Sequence, residues 1–371
     1  MTESTPSLAP DTEQTKQQLT DNLNSNQVVT AYSLALLNVS LNPIPGLNPQ
    51  PDWFDTMQTN LAAAKQSGQY WIDTLGPQLF STVPQSIINY SDTFNADTGF
   101  ILQILKDCNY NPGTDQKDQI LALLNNTLQE LDTQQGAIVD AQTALVAFSQ
   151  TVSEQHQQLV DGNNGALAAL QEDQDQVIGI QGQIADLNAK LAADSTLATT
   201  SEVGLGVGIF IAVAGFALCV ATGGLAAPAV VGGAGVVGAG LGIAGTTVWN
   251  IDKTNDLKNI QKEQNLLSAE NAQISALQTI ISTTGTLTTA NESAEAALVA
   301  IKAMYETLAQ KMQATINNVE AADNADIPGI LQAAKITTAQ TDYDQLTAFA
   351  TQIEDLSVTN QGVIPAPGTP A

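Results

Sequence analysis

Arginine is absent from this chain of 371 residues, and histidine occurs only once. All 11 basic residues are lysines, and 37 acidic residues outnumber them, so the formal net charge at pH 7 is −26. Arginine is the side chain that binds phosphate with two parallel hydrogen bonds, and a nucleic-acid backbone must be neutralised by a basic surface. We therefore predict no nucleic acid among the partners. An acidic surface also has no electrostatic attraction to anionic lipid, so apolar contacts or another protein would have to bring the chain to a membrane.

Cysteine is almost as scarce, and this excludes most metal and catalytic sites. Cys108 and Cys219 are the two cysteines, and we expect free thiols because a disulfide would tether the apolar run described below. The single histidine, His156, lies between Val152 and Leu159 in a helical repeat and is interpreted as a packing residue rather than a base. A zinc site would need clustered His and Cys ligands. We expect no catalytic site, no metal and no cofactor.

Proline is nearly absent from the middle of the chain. Between Gly113 and Ile327 only Pro228 occurs, and this span can form long helices because proline interrupts them. Breaks are expected near residues 162–165 and at Gly285. The prediction is a first helix over residues 11–41, a broken helical stretch over 53–108, two long central helices, a last helix over 327–356 and a disordered end over 361–371.

Aromatic residues make up 5% of the chain, and most are expected to pack between helices. Trp53, Tyr70 and Trp71 are placed inside the bundle on this basis. The first six residues have neither the basic nor the apolar region of a secretory signal. Any secretion is therefore expected to proceed without a classical signal peptide.

Apolar residues recur at intervals of seven in both long central segments. Repeats sustained in this way predict antiparallel helices packed as a bundle or coiled coil. A second row at Gln135, Gln142, Ser149 and His156 is polar, so the predicted seam is softer than a leucine zipper. The repeats consist of Leu124, Leu131, Ile138, Leu145, Val152, Leu159, Leu170, Val177, Ile184 and Leu191 in the first segment, and of Ile260, Leu267, Ile274, Ile281, Leu298, Tyr305, Met312 and Val319 in the second.

Between these segments lies an apolar run, residues 203–251, without one Asp, Glu, Lys, Arg or His. Its limbs, residues 203–220 and 229–249, are each long enough to cross a bilayer core, which needs roughly 20 apolar residues per helix. Thirteen of the 27 glycines lie in the run. Each glycine weakens a helix in water by about 1 kcal/mol relative to alanine, whereas glycine permits close helix contact in lipid, and the valines also suit strands. The run is therefore predicted to be weakly committed to one conformation in water and able to enter a membrane as a hairpin.

The residues of this hairpin are assigned to three groups. Gly223, Gly224 and Pro228 form an uncharged tip that can lead through the bilayer. Trp249, at the end of the second limb, is interpreted as an interface anchor, because indoles favour the headgroup boundary. The spanning residues are Val203, Gly204, Val207, Gly208, Ile209, Phe210, Ile211, Val213, Phe216, Leu218, Val220, Val230, Val231, Val236, Val237, Leu241, Ile243 and Val248.

These patterns predict an all-α fold, an elongated bundle of about five long antiparallel helices with a hydrophobic head hairpin. Residues 1–200 and 252–360 would form a discontinuous tail domain, residues 201–251 the head, and residues 361–371 a disordered tail. A bare run of this length would expose far more apolar surface than soluble monomers show. In water it must be covered by the chain's own helices, by self-association or by a partner.

Long antiparallel helices with a Gly-, Ala- and Val-rich hairpin between Glu202 and Asp252 resemble the cytolysin A (ClyA) superfamily of α-helical pore-forming toxins. The hairpin is most similar to that of the B, or membrane-spanning, component of Gram-negative tripartite toxins, and related patterns occur in haemolysin BL and non-haemolytic enterotoxin components. The resemblance implies a non-enzymatic, secreted, soluble monomer that rearranges, inserts its hairpin into a target-cell lipid membrane and oligomerises. It also implies a lytic pore completed by A and C components.

Other interpretations remain open on the sequence alone. The run could be a buried hairpin in a soluble core, or the two spans of a constitutive membrane protein. Against the second, Glu202 and Asp252 border the run where a Lys/Arg excess would be expected to fix the orientation. A type III-like secretion translocator, or a helical membrane-interaction scaffold with a two-span hairpin, would show the same features.

Overall fold

A computed structural model of the chain describes residues 7–38, 49–50, 52–169, 216–217, 230–231 and 269–354. The described residues are almost entirely helical, which confirms the all-α class. The elements are α1 (Thr12–Asn38), α2 (Asp52–Tyr70), a π-helical turn (Trp71–Leu75), α3 (Gly76–Asp107), α4 (Thr114–Ala169), β1 (Phe216–Ala217), β2 (Val230–Val231), α5 (Ala269–Ala321), a 3-10 turn (Asn324–Asp326), α6 (Ile327–Ala333) and α7 (Ile336–Glu354). With α2–α3 taken as one broken stretch and α6–α7 as the last helix, these are the five helices predicted.

The chain reverses direction in the short connection between α3 and α4. Asn109 and Tyr110 both adopt left-handed backbone angles, with φ of 52° and 58°, and the Tyr110 amide donates to the Leu105 carbonyl at 2.7 Å. This bond satisfies a carbonyl at the end of α3. Three residues after Tyr110, the Gly113 backbone N–H donates to the side-chain oxygen of Gln116 at 3.0 Å, which caps the start of α4. The two helices therefore run antiparallel through a short, fully bonded turn.

The described residues divide between two compact units. The first draws on Met1–Leu23, Gln78–Ala144 and Ala294–Leu356, and the second on Asn24–Pro77, Leu145–Ser293 and Ser357–Ala371. The core of the first unit is aromatic. Its centre is formed by Tyr90, Phe94, Tyr305 and Tyr343, which are all at most 2% exposed.

Within the first unit, α4 and α5 run antiparallel. The Lys117 ammonium donates to the carbonyl oxygens of Glu320 and Ala322 at 2.9 and 2.8 Å. Further along α4, the Gln135 amide donates to the Glu306 carboxylate at 3.4 Å. Residue numbers thus rise along α4 as they fall along α5, as the repeats predicted.

The second unit is organised around Trp71, which is fully buried. Its indole N–H donates to the Thr30 hydroxyl at 2.8 Å, and its ring centre lies 4.9 Å from that of Phe148. Helices α1 and α2 approach closely at Gly68, where a Cβ atom would lie 3.3 Å from the Ser33 carbonyl oxygen. These contacts join α1, α2 and α4, and they confirm the predicted packing role of Trp71.

The first row of the helical seam is confirmed wherever its side chains are described. Its members on α4 and α5 are all at most 7% exposed, namely Leu124, Leu131, Ile138, Leu145, Val152, Leu159, Leu298, Tyr305, Met312 and Val319. The predicted second row is wrong by one position along α4. It was placed four residues after each member of the first row, whereas the buried residues lie three residues after each member. That buried row is Thr127, Gln134, Ala141 and Phe148, while Gln135, Gln142, Ser149 and His156 are half-buried.

Two predicted helix breaks are wrong. Helix α4 continues through residues 162–165 to Ala169, and α5 continues through Gly285. At Gly162 a Cβ atom would lie 3.1 Å from the Met57 methyl carbon, so this glycine makes room for a neighbouring helix. The last helix is instead interrupted at Lys335, whose φ is 54°.

Tyr70 is a further correction, because it is 47% exposed rather than packed inside. Its neighbour Trp71 occupies the interior position, and successive helical residues point in different directions. Trp53, in contrast, is 7% exposed and packs as predicted.

Candidate membrane-inserting segment

Within the apolar run the structure describes a short pair of antiparallel strands. Phe216 pairs with Val231, and Ala217 pairs with Val230. This register is symmetric about the peptide bond between Gly223 and Gly224. In the sequence, the two glycines predicted to form the tip therefore lie midway between β1 and β2.

Of the residues assigned to the hairpin, the structure brings together Phe216, Val230 and Val231. The remaining spanning residues, the tip residues Gly223, Gly224 and Pro228, and the anchor Trp249 lie outside the described residues. So do the repeat positions Leu170, Val177, Ile184, Leu191, Ile260 and Leu267. Among the described helices, none is both long enough and apolar enough to cross a bilayer.

Residues 7–10, which lead into α1, form an N-terminal strap that is hydrogen-bonded to other residues of the first unit. Leu8 is 1% exposed, its amide donates to the Ala334 carbonyl at 3.3 Å, and its own carbonyl accepts a hydrogen bond from the Tyr343 hydroxyl at 2.9 Å. Burial raises the pKa of Tyr343 well above its usual range. The strap is thus held by a neutral phenol inside the aromatic core.

The neighbouring tyrosines share this environment. The Tyr305 hydroxyl donates to Ser86 at 3.1 Å, and the ring of Tyr90 lies 6.2 Å from that of Tyr305. Burial raises the pKa of both Tyr90 and Tyr305 above the usual range. Since these phenols stay protonated over the physiological range, they can lie in an apolar core without a buried charge.

The buried face of α1 is a feature that the sequence interpretation missed. Between Asn22 and Ser33, five polar residues of this helix are at most 7% exposed, namely Asn22, Ser25, Asn26, Thr30 and Ser33. Their spacing of three or four residues places them on one helical face, and that spacing could have revealed them. Because burial of polar groups needs compensating hydrogen bonds, this helix depends on polar contacts more than α4 does.

The scarce titratable residues are placed as packing groups. His156 is half-buried, its Nδ1 is buried without a hydrogen-bond partner, and burial lowers its pKa. Cys108 is a free thiol, as expected, with Sγ 3.3 Å from the Leu105 carbonyl oxygen, while Cys219 lies outside the described residues. In the described part of the chain, no group of three or more His, Cys, Asp or Glu residues is placed to hold a metal ion.

Comparison with known proteins finds one matching family model and several solved structures with a similar fold. The family model for Bacillus haemolytic enterotoxin (HBL) matches residues 10–194, about half of the chain. No curated protein matches the sequence. The HblL1 toxin component of Bacillus cereus has a similar structure, with a TM-score of 0.70, 19% identity, and coverage of 94% of this chain and 98% of that one.

Two other solved structures show the same fold. Motility Associated Killing Factor B of Vibrio cholerae has a TM-score of 0.68 at 16% identity and covers 93% of each chain. Soluble AhlB, from the tripartite α-pore-forming toxin of Aeromonas hydrophila, has a TM-score of 0.62 at 16% identity, over 92% of this chain and 99% of that one. The sequence is thus similar to the Bacillus haemolytic enterotoxin (HBL) family over residues 10–194, and the chain shares the fold of solved components of α-pore-forming toxins.

Proposed function

We propose that this chain is the membrane-inserting subunit of a multi-component pore-forming toxin. The observation that supports it most is the apolar run of 49 residues without charge, whose described strands pair symmetrically about Gly223–Gly224. A symmetric hairpin without charge at its tip can enter a bilayer from one side. The protein would act through this surface and would have no enzymatic activity.

In this proposal the hairpin changes its secondary structure on insertion. An isolated pair of strands has two open edges, and each unpaired backbone group in lipid costs several kcal/mol. A helix satisfies its backbone groups internally, so the limbs 203–220 and 229–249 would become two spanning helices. Trp249 would then lie at the headgroup boundary.

The partners follow from the same proposal. The soluble monomer, once secreted, would meet the host-cell lipid membrane, associate with further copies of itself and complete a lytic pore with A and C components. The similarity to AhlB of a tripartite toxin supports the partner components. Residues 1–200 and 252–360 would act as the tail domain that carries the head, residues 201–251, and residues 361–371 would form a disordered tail.

The experiment places a charge in the first limb. A charged residue at the centre of a spanning helix costs about 3 kcal/mol, which is roughly a hundredfold in the insertion equilibrium of one protomer. Val213→Asp and Gly208→Asp should therefore abolish lysis of erythrocytes and dye release from liposomes, tested with all components present. The matched control is Ser201→Asp, which adds the same charge just outside the run and should leave lysis unchanged.

Circular dichroism and size-exclusion chromatography should show that all three variants remain folded and soluble. Full lysis by Val213→Asp and Gly208→Asp would exclude a spanning role for the first limb. Dye release only in the presence of secretion machinery, and never with toxin components, would favour the translocator interpretation instead.

A further inference from the structure

A groove in the first unit, between the first turns of α1 and the middle of α5, has no role in the proposed pore. Its volume is about 360 Å³, which falls within the size range of small-molecule pockets. Alanines on α5 leave this space open, and charged groups lie at one end. The residues on which the site depends are Asp11, Gln18, Ala303, Met304, Leu308 and Lys311.

Lys311 supplies a cation with unused hydrogen-bonding capacity. Its ammonium can donate three hydrogen bonds, but within the described residues its recorded contact is a long one, 3.5 Å, to the Ala9 carbonyl. Lys16 and Lys302, in contrast, form ion pairs with Glu13 and Glu306. Lys311 is half-buried, and burial lowers its pKa. An anion at this position would offset the cost of removing the ammonium from water.

The α5 side of the groove is formed mainly by Ala300, Ala303, Met304 and Leu308, and polar groups lie at both ends. Helices α1 and α5 are antiparallel here, since Ala9 lies beside Lys311 and the Thr15 hydroxyl contacts the Met304 sulfur at 3.3 Å. The α5 residues that line the groove extend from Ala300 to Lys311, a length of about 16 Å at the helical rise. At the end away from Lys311, the buried Gln18 Oε1 has no hydrogen-bond partner.

We propose that this groove binds a small amphiphilic monocarboxylate of the medium-chain fatty-acid class. The carboxylate would accept hydrogen bonds from Lys311, and the extended chain would lie along Ala303, Met304 and Leu308. A bound carboxylate would also compete with the Ala9 carbonyl for the ammonium. Occupancy of the groove would therefore loosen one contact of the N-terminal strap.

Asp11 lies at the same end and sets the charge balance of the site. Its Oδ1 accepts a hydrogen bond from the Gln14 backbone N–H at 3.0 Å, so Asp11 caps α1 and its charge is partly offset by the helix dipole. The remaining negative charge opposes a second anion nearby. Removing it while retaining the cap should therefore strengthen carboxylate binding, whereas removing the Lys311 charge should weaken it.

The test is calorimetric titration of the full chain with decanoate below its micelle concentration. Lys311→Met should weaken binding roughly tenfold or more, because it removes a charge-assisted hydrogen bond. Asp11→Asn should strengthen binding a few-fold, and decanol, which shares the chain but not the charge, should bind more weakly than decanoate. Ala303→Phe fills the middle of the groove from an exposed position and should abolish binding. Lys302→Met is the matched control on α5 and should bind decanoate like the wild type.

Thermal unfolding of each variant provides the folding check, with Ala303→Leu as a smaller filling substitution. Absence of decanoate binding to the wild type would overturn the proposal. Wild-type affinity for decanoate in both Lys311→Met and Ala303→Phe would also overturn it, because decanoate would then be bound elsewhere, for example by the apolar run. The experiment measures no lysis, so its outcome is independent of the proposed toxin function.

Discussion

The helical bundle and the apolar run are both rich in apolar residues, yet the two sequences place those residues differently. In the bundle, Leu131 and Ile138 recur at a spacing of seven and are fully buried. In the run, glycine accounts for 13 of 49 residues, and the described residues Phe216 and Val231 pair as strands. Periodic placement of large side chains, rather than apolar content alone, gives a long helix one face that neighbouring helices can bury.

The largest expected difference between the two regions is in their contribution to stability. Ile138→Ala removes a fully buried side chain from α4 and should lower the free energy of unfolding by about 2–5 kcal/mol. Val213→Ala in the run should change it by less than about 0.5 kcal/mol. Urea unfolding followed by circular dichroism measures both. Equal losses would show that the run belongs to the same cooperative core.

A smaller effect is expected where the bundle is fixed by a charge. Lys117→Met removes hydrogen bonds to the carbonyls of Glu320 and Ala322 at the end of α5. The unfolding free energy should fall by roughly 1.5–3 kcal/mol, measured in urea. Lys106→Met, at an exposed position in the last turn of α3, is the control and should cost less than about 1 kcal/mol. Similar losses for both lysines would refute the capping role of Lys117.

Alkaline pH should destabilise the bundle through its buried tyrosines. Burial raises the pKa of Tyr90, Tyr305 and Tyr343, so the folded state holds protons that the unfolded state releases above about pH 10. The associated stability is complete below that pH and is lost as the pH rises. Tyr305→Phe should reduce the pH dependence of the unfolding free energy by about 1.4 kcal/mol per pH unit, measured by urea unfolding between about pH 9 and pH 11. The run contains no tyrosine, so an unchanged slope in this variant would contradict the assignment to the bundle.

The smallest expected effect lies in the acid range and comes from His156. Burial lowers its pKa, so its contribution to stability is present above the unfolded value of about 6.5 and is lost as the pH falls. Because the side chain is only half-buried, the effect should stay below about 0.5 kcal/mol. His156→Gln should flatten the stability profile between about pH 7 and pH 5. A steeper profile in this variant would mean that the imidazole is protonated in the folded state.

The sequence predicted the bundle well where one rule decided the outcome. The heptad positions from Leu124 to Leu159 are buried because large apolar residues at that spacing lie on one face of a helix, where neighbouring helices cover them. The prediction failed where tertiary contacts override local preference. Gly162 would favour a helix break by its propensity, but the approach of Met57 makes it a packing residue. The polar residues Thr127 and Gln134 were overlooked as seam positions because hydrophobic pattern cannot detect them.

The candidate segment was proposed from its lack of charge, and its spanning and tip roles stay predictions. The absence of charge and the two tip glycines predict a hairpin centred near Gly223, and of this segment the structure describes the pairs Phe216–Val231 and Ala217–Val230. Valine and glycine favour neither helix nor strand decisively, so the pairing of Phe216 with Val231 could not be derived from composition. The groove beside Lys311 arises from two helices distant in sequence, and no local pattern indicates it.

The central claim, that the paired strands must separate before the run enters a membrane, can be tested by locking them together. Ala217→Cys and Val230→Cys, combined with Cys108→Ser and Cys219→Ser, place two thiols on directly paired residues, at a spacing compatible with a disulfide. The measurement is dye release from liposomes with all components present, before and after reduction. We predict no release from the oxidised protein and full release after reduction. Equal release from the oxidised and reduced forms would contradict the account.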